Sequence, residues 1–136
     1  QLKLVRGFEE NRYKLLLPYV TAAPLKDTQV NINTAPAALL ASLDDKLDVN
    51  AVQQALDLKF GKQEYFANIS ELWQVAPFDQ VAAENRNQFA KLLGVKSQFF
   101  KARIEVMLSE RKRQFSSDLI RQDKQVYVSY RSMAPF

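Results

Sequence analysis

Between Phe100 and Leu108 the chain alternates. Phe100, Ala102, Ile104, Val106 and Leu108 interleave with Lys101, Arg103, Glu105 and Met107. A period of two puts successive side chains on opposite faces, which is a half-buried strand and not a helix. Ser109-Glu110-Arg111 can then turn the chain. Phe115, Ser117 and Leu119 alternate in a second strand, and Gln122-Asp123-Lys124 turns again. Val126, Val128 and Tyr130 alternate with Tyr127, Ser129 and Arg131 in a third. Three sequential strands joined by short turns predict an antiparallel meander. Val126, Val128 and Tyr130 are expected to extend the apolar face begun by Phe100, Ile104, Val106 and Leu108. An antiparallel sheet leaves one face wet, but its apolar face has to be covered.

Before Lys96 the texture is helical. Glu9 to Leu17 reads as a short helix, acidic at its start as the helix dipole favours, with Tyr13, Leu16 and Leu17 on its apolar side. Pro18 ends it or follows its end closely, and residues 18–33 read as irregular or extended. The stretch Val30-Asn31-Ile32-Asn33-Thr34-Ala35-Pro36 then runs into Ala37-Ala38-Leu39-Leu40-Ala41-Ser42-Leu43. Thr34 is the expected N-cap of a helix beginning at Ala35, and Pro36 is tolerated in a first turn. Leu39, Leu40 and Leu43 fall on one helix face. Asn31 and Asn33 flank an apolar Ile32 and can tie down loop backbone with their amides.

Asp48 is the expected N-cap of a helix from Val49 to about Lys59, with Val49, Val52 and Leu56 as its buried stripe and Gly61 as its stop. Ser70 precedes a short helix from Glu71-Leu72-Trp73 to Val75, which Pro77 breaks. A last helix is expected from about Gln80 to Leu93, ending at Gly94, with Phe89, Leu92 and Leu93 inward. Trp73, Phe78, Phe89, Phe99 and Phe100 read as core aromatics.

The chain has 136 residues, no Cys and no His. Thiol and histidine chemistry, disulfides and the usual zinc ligand sets are therefore excluded. No run is long enough to span a membrane, and no signal-peptide pattern is present. Gln1 is not a natural start, so a fragment of a longer chain is expected. The net charge is +4. Residues 1–96 carry 11 Lys/Arg against 11 Asp/Glu, and residues 97–136 carry 8 against 4, so the whole excess sits in the last third.

An Asn-x-Asn-Thr-Ala start to a Leu-rich helix, here Asn31 to Ala35, resembles the K-type minor pseudopilins of bacterial type II secretion systems. Leu2-Lys3-Leu4-Val5-Arg6-Gly7-Phe8 resembles that family's Glu-Leu-x-x-Val-x-Gly segment. Leu17 to Pro24 resembles the extended stretch before the Asn motif. Val95-Lys96-Ser97-Gln98-Phe99-Phe100 resembles the Ser-x-x-Phe that opens its late strands. The pieces come in the family's order and cover nearly the whole chain. More distantly, the Asn motif resembles helix-hairpin-helix DNA-binding modules.

The DNA-binding alternative has specific features against it. Helix-hairpin-helix modules hold phosphate on bare N–H groups of a Gly-x-Gly hairpin. Here Leu43 is followed by Asp44-Asp45, which repel phosphate. The half that carries the motif is also neutral, where a DNA-binding module is basic. Asp44, Asp45, Asp48 and Asn50 form the one acidic cluster with calcium-like ligand chemistry. It lacks the central Gly and terminal Glu of a calcium loop, so an acidic turn followed by an N-cap is the simpler reading. No other cofactor is suggested. Arg111-Lys112-Arg113 reads as a charged hairpin end that discourages edge-to-edge pairing, with anionic lipid or nucleic acid as the sharper alternative. Tyr127, with Arg131 two positions on, is the nearest approach to a base-stacking platform. The adjacent carboxylate pairs Glu9-Glu10 and Asp44-Asp45 read as a helix start and a turn, and no catalytic residue is assigned.

The expected fold is α+β. Residues 1–96 are a helical SAM-like module, and residues 97–136 are a three-stranded antiparallel meander that closes a pilin-type fold. The resemblance implies a non-enzymatic structural subunit at the tip of the secretion pseudopilus. It implies I- and J-type minor pseudopilins as partners, no nucleic acid, and a periplasmic location. The inner-membrane anchor would be an N-terminal helix absent from this chain, and the same long helix covers the sheet in that family.

Overall fold

A computed structural model describes residues 5–8, 10–21 and 28–133. Helix α1 (Glu10–Leu16) continues into a 3-10 turn at Leu17–Tyr19, and Pro18 sits inside that turn. The helix buries no residue: Tyr13 and Leu16 are half-buried and Leu17 is exposed. Glu9, Leu2 to Leu4 and Ala22 to Asp27 lie outside the described residues. The proposed helix start and part of the family-like segments therefore have no structural counterpart here.

Within residues 18–33, read as irregular or extended, a short strand forms. Val30–Asn31 (β1) pairs in parallel with Leu93–Gly94 (β2), in register Val30 with Leu93 and Asn31 with Gly94. Val30 N–H donates to Leu92 O at 2.8 Å and Ile32 N–H to Gly94 O at 2.9 Å. Between these strands lie α2 (Ala37–Ala41), α3 (Val49–Gly61), α4 (Ile69–Leu72), a 3-10 turn at Phe78–Gln80 and α5 (Ala83–Phe89). The strand pair thus closes the helical segment into a loop of chain with adjacent ends.

The core fills that closed segment. Ile32, Leu40, Val52, Leu72 and Phe78 are fully buried, joined by Ala37, Ala41, Leu47, Leu56, Phe66, Val81 and Leu93. Trp73 and Phe89 pack half-buried against it. Removing each such large side chain from water is worth roughly 1.5–3 kcal/mol, so this cluster holds the segment together.

Several expected boundaries move for local reasons. The helix after the Asn motif begins at Ala37, not Ala35. A residue before proline is driven out of the α region, so Ala35 cannot open a helix ahead of Pro36. Pro36 itself is extended at ψ 149° and is the cap residue, without a side-chain cap. Asp48 caps α3 as expected, its carboxylate accepting from Ala51 N–H at 2.9 Å. Val52 and Leu56 are buried, but Val49 is 45% exposed, because the first residue of α3 precedes the turn that meets the core. Helix α4 is capped by Asn68, not introduced by Ser70. Asn68 Oδ1 accepts from Glu71 N–H at 3.2 Å, and the Glu71 carboxylate accepts from Ala67 N–H at 3.0 Å, a reciprocal box around the first turn.

The expected last helix is shorter, Ala83–Phe89, because the chain straightens to form β2. Leu93 is buried in that strand while Leu92, expected inward, is 55% exposed. Gly94 is buried beside Gln29, and a Cβ on it would lie 2.7 Å from Gln29 Oε1. This glycine therefore leaves room for the Gln29 side chain and does not end a helix.

The meander is as expected. β3 (Phe99–Leu108), β4 (Arg111–Gln122) and β5 (Gln125–Ser132) form an antiparallel sheet in that order. Ser109 and Asp123 take φ 55° in the two hairpin turns, a conformation that Asp tolerates better than most residues.

Candidate functional site

Two features of the structure bear on function: the Asn31–Ala35 motif and the open face of the meander. In the motif, Asn31 Oδ1 accepts from Asn33 N–H at 3.0 Å, a local turn. Asn31 O accepts from Thr34 N–H at 3.1 Å and from Ala35 N–H at 2.9 Å. Thr34 Oγ1 also donates to Asn31 O, at 3.3 Å. Thr34 is therefore a residue of the turn before the helix, and the expected capping role is corrected.

The amide of Asn33 reaches across the fold. Its Nδ2 donates to Phe66 O at 3.0 Å, and its Oδ1 accepts from Phe66 N–H at 2.8 Å. One side chain thus satisfies both backbone groups of a buried residue, as a neighbouring strand would. Asn31 Nδ2 donates to Ser97 Oγ at 2.9 Å, so the same motif ties the helical segment to the start of the meander. Neither Phe66 nor Ser97 was singled out as a partner in the sequence. Both are far from the motif along the chain, and no local pattern marks such a pairing.

Asp44, Asp45, Asp48 and Asn50 do not converge on a metal centre. Asp44 Oδ1 accepts from Lys46 N–H at 3.0 Å, and its Oδ2 accepts from Asn85 Nδ2 at 2.9 Å. Its carboxyl is held below the usual aspartate range, first by the Lys46 backbone bond and then by Asn85. Asp48 is engaged as the α3 cap. Among the described residues no group of three or more acidic side chains is placed to hold a metal ion. Asp44 and Asp45 occupy the turn between α2 and α3, where a helix-hairpin-helix module would receive phosphate.

The meander has two unlike faces. On one, Lys101 pairs with Asp118 at 3.2 Å and Lys112 with Glu105 at 2.7 Å, and Gln114 Nε2 donates to Glu105 at 3.1 Å. Lys112 and Gln114 lower the Glu105 carboxyl, Lys112 the more strongly. The other face carries Phe100, Ile104, Val106, Leu108, Phe115, Leu119, Val126 and Val128 by register. Most of its aliphatic residues are open: Ile104 is 45%, Val106 47% and Leu108 77% exposed, while Leu119 is half-buried. Phe100, expected in the core, is 38% exposed.

Tyr130 does not extend this apolar face. A register shift between Asp118 and Leu119 pairs Tyr130 with Asp118 and Arg131 with Ser117. One extra residue in β5 reverses the alternation beyond it. Tyr130 therefore joins the ion-paired face, and Arg131 joins the apolar one, where its Nε donates to Ser117 Oγ at 3.3 Å. Tyr127 and Arg131 consequently stand on opposite faces and make no stacking platform. Arg111-Lys112-Arg113 opens β4 directly after the first hairpin turn, as expected.

Residues 30–96 match the family model described as type II secretion system (T2SS), protein K. No curated protein sequence matches the chain. Among solved structures, the chain is similar to a chain of the GspK–GspI–GspJ complex of the type 2 secretion system from enterotoxigenic Escherichia coli. The TM-score is 0.76 at 21% identity, over 98% of this chain and 46% of that one. The chain thus spans less than half the length of that relative. Both the helical segment and the meander fall within this shared fold, and the family match begins at β1 and ends two residues beyond β2. Residues 30–96, closed by the β1–β2 pair and clamped by Asn31 and Asn33, are thus the segment that matches protein K of type II secretion systems, the K-type minor pseudopilins.

Proposed function

We propose that this chain is part of a non-enzymatic minor pseudopilin, a structural subunit at the tip of a type II secretion pseudopilus that helps to start its assembly. Its partners are I- and J-type minor pseudopilins, as in the complex named for the similar structure. In this reading the boundary between the inserted helical module and the closing pilin strands lies at residues 96 and 97. The folded part works in the periplasm, and an apolar N-terminal helix outside this chain holds the protein in the inner membrane. Among the described residues no helix is long and apolar enough to cross a membrane. The observation that carries the reading is the meander, whose apolar face the described residues leave open, with Ile104 and Val106 about half exposed. A pilin-type fold places a long helix on that face.

The test is a chimera in which this chain replaces the matching part of a full-length K-type pseudopilin. Restored secretion and co-elution with I- and J-type subunits are expected. A folded chimera that neither secretes nor binds either subunit refutes the proposal.

A further inference from the structure

We propose that the apolar face of the meander takes a single helix whose apolar stretch is bounded at each end by carboxylates. This deepens the pilin-type reading above and rests on it for the presence of a helix. The charges of the sheet are sorted by face. Both strand carboxylates, Glu105 and Asp118, stand on the opposite face and are paired with Lys112 and Lys101. The apolar face carries by register Arg111 and Arg113 at one end of β4, Arg121 at its other end, and Arg131 on β5. None of these four has a carboxylate partner among the described residues. Arg121 lies over the Phe100 ring at 5.6 Å, and Arg131 donates to Ser117, so two guanidinium groups are held at the apolar band by neutral neighbours. Covering the face with an apolar helix would strip water from these cations, and a buried unpaired charge is costly. The occupant therefore has to supply negative charge where the arginines stand.

The dimensions select one helix and a spacing. Three strands at about 4.8 Å separation give a surface about 10 Å across, the diameter of one helix with its side chains. Arg113 and Arg121 lie on the same strand and face, so at about 3.3 Å per residue they are about 26 Å apart. At about 1.5 Å per residue a helix crosses that distance in about 18 residues. The geometry calls for acidic residues about five turns apart, with apolar residues between.

The experiment uses the 136-residue chain and two labelled helical peptides, identical except for Glu or Lys at positions about 18 residues apart. Binding is read by fluorescence anisotropy at about 0.05 M and about 1 M salt. The Glu peptide is expected to bind at least about tenfold tighter at low salt, and the preference is expected to shrink at high salt. Arg113→Glu with Arg121→Glu should reverse it, and Arg113→Gln with Arg121→Gln should erase it with the fold kept by circular dichroism. Equal binding of the two peptides overturns the charge inference and leaves the helix-covered sheet standing. Binding of neither peptide overturns both. Tighter binding to phosphatidylserine vesicles, without a peptide preference, overturns the inference in favour of a lipid surface.

Discussion

Asn33 and Phe66 are bonded twice: the Asn33 amide donates to Phe66 O at 3.0 Å and accepts from Phe66 N–H at 2.8 Å. Phe66 is 3% exposed, so water cannot replace Asn33 without opening the core. An unsatisfied buried backbone group costs about 1–3 kcal/mol. Asn33→Ala is therefore expected to destabilise the chain by about 2–4 kcal/mol in a urea melt, since two groups lose their partner. Asn33→Asp keeps the acceptor and loses the donor, and should cost less. A loss for Asn33→Ala below about 0.5 kcal/mol, the usual size of a surface change, would remove Asn33 from the clamp.

The two cap candidates should behave differently. Asp48→Ala removes the bond to Ala51 N–H and should cost about 1 kcal/mol. Thr34 only donates to Asn31 O in an exposed turn, so Thr34→Ala should stay within about 0.5 kcal/mol. Matched denaturant melts of the two variants check the order, and a larger loss at Thr34 contradicts it.

Gly94 is expected to accept alanine only when Gln29 is also changed. The added Cβ would lie 2.7 Å from Gln29 Oε1 and 3.1 Å from Gln29 Cβ. Overpacking of this kind costs about 1–3 kcal/mol. Gly94→Ala should lower the melting midpoint, and Gln29→Ala in the same chain should recover most of it. Additive losses in the double variant would place the strain elsewhere.

The pH dependence has a stated sign at Asp44. Its carboxyl is lowered in the folded chain by Lys46 N–H and Asn85. A group with a depressed folded pKa contributes stability above its unfolded pKa and loses it as pH falls through the folded value. The contribution of Asp44 is thus lost only on the acid side of the ordinary aspartate range. In a carboxyl NMR titration, Asn85→Ala should move the Asp44 midpoint part of the way back up. An unmoved midpoint would show that the Lys46 bond acts alone.

Ile104→Asp separates folding from assembly. Ile104 is 45% exposed, and its cross-strand neighbour is Phe115. Ile104 is not among the residues that pack on the helical core, so the chain's thermal midpoint should change by only a few degrees. In a chimera with a full-length K-type pseudopilin, the same change should abolish secretion, because a carboxylate would be buried beneath the covering helix. Normal secretion would show that the face stays wet.

The sequence by itself determined the elements whose signals are local. Period two in residues 100–108 placed β3, and short polar turns placed the meander, because a half-buried strand needs only alternation. Asp48 was legible as a cap because capping spans three residues. Asn31 and Asn33 were legible as backbone ties, but their partners Ser97 and Phe66 were not, since nothing near the motif specifies a residue that far along the chain. Only the tertiary structure decided the parallel β1–β2 pair, for the same reason: two-residue strands carry no periodicity. It also decided the faces of β5. The register shift at Asp118 and Leu119 depends on how two strands meet, not on either one alone. That single extra residue moved Tyr130 off the apolar face and put Arg131 on it.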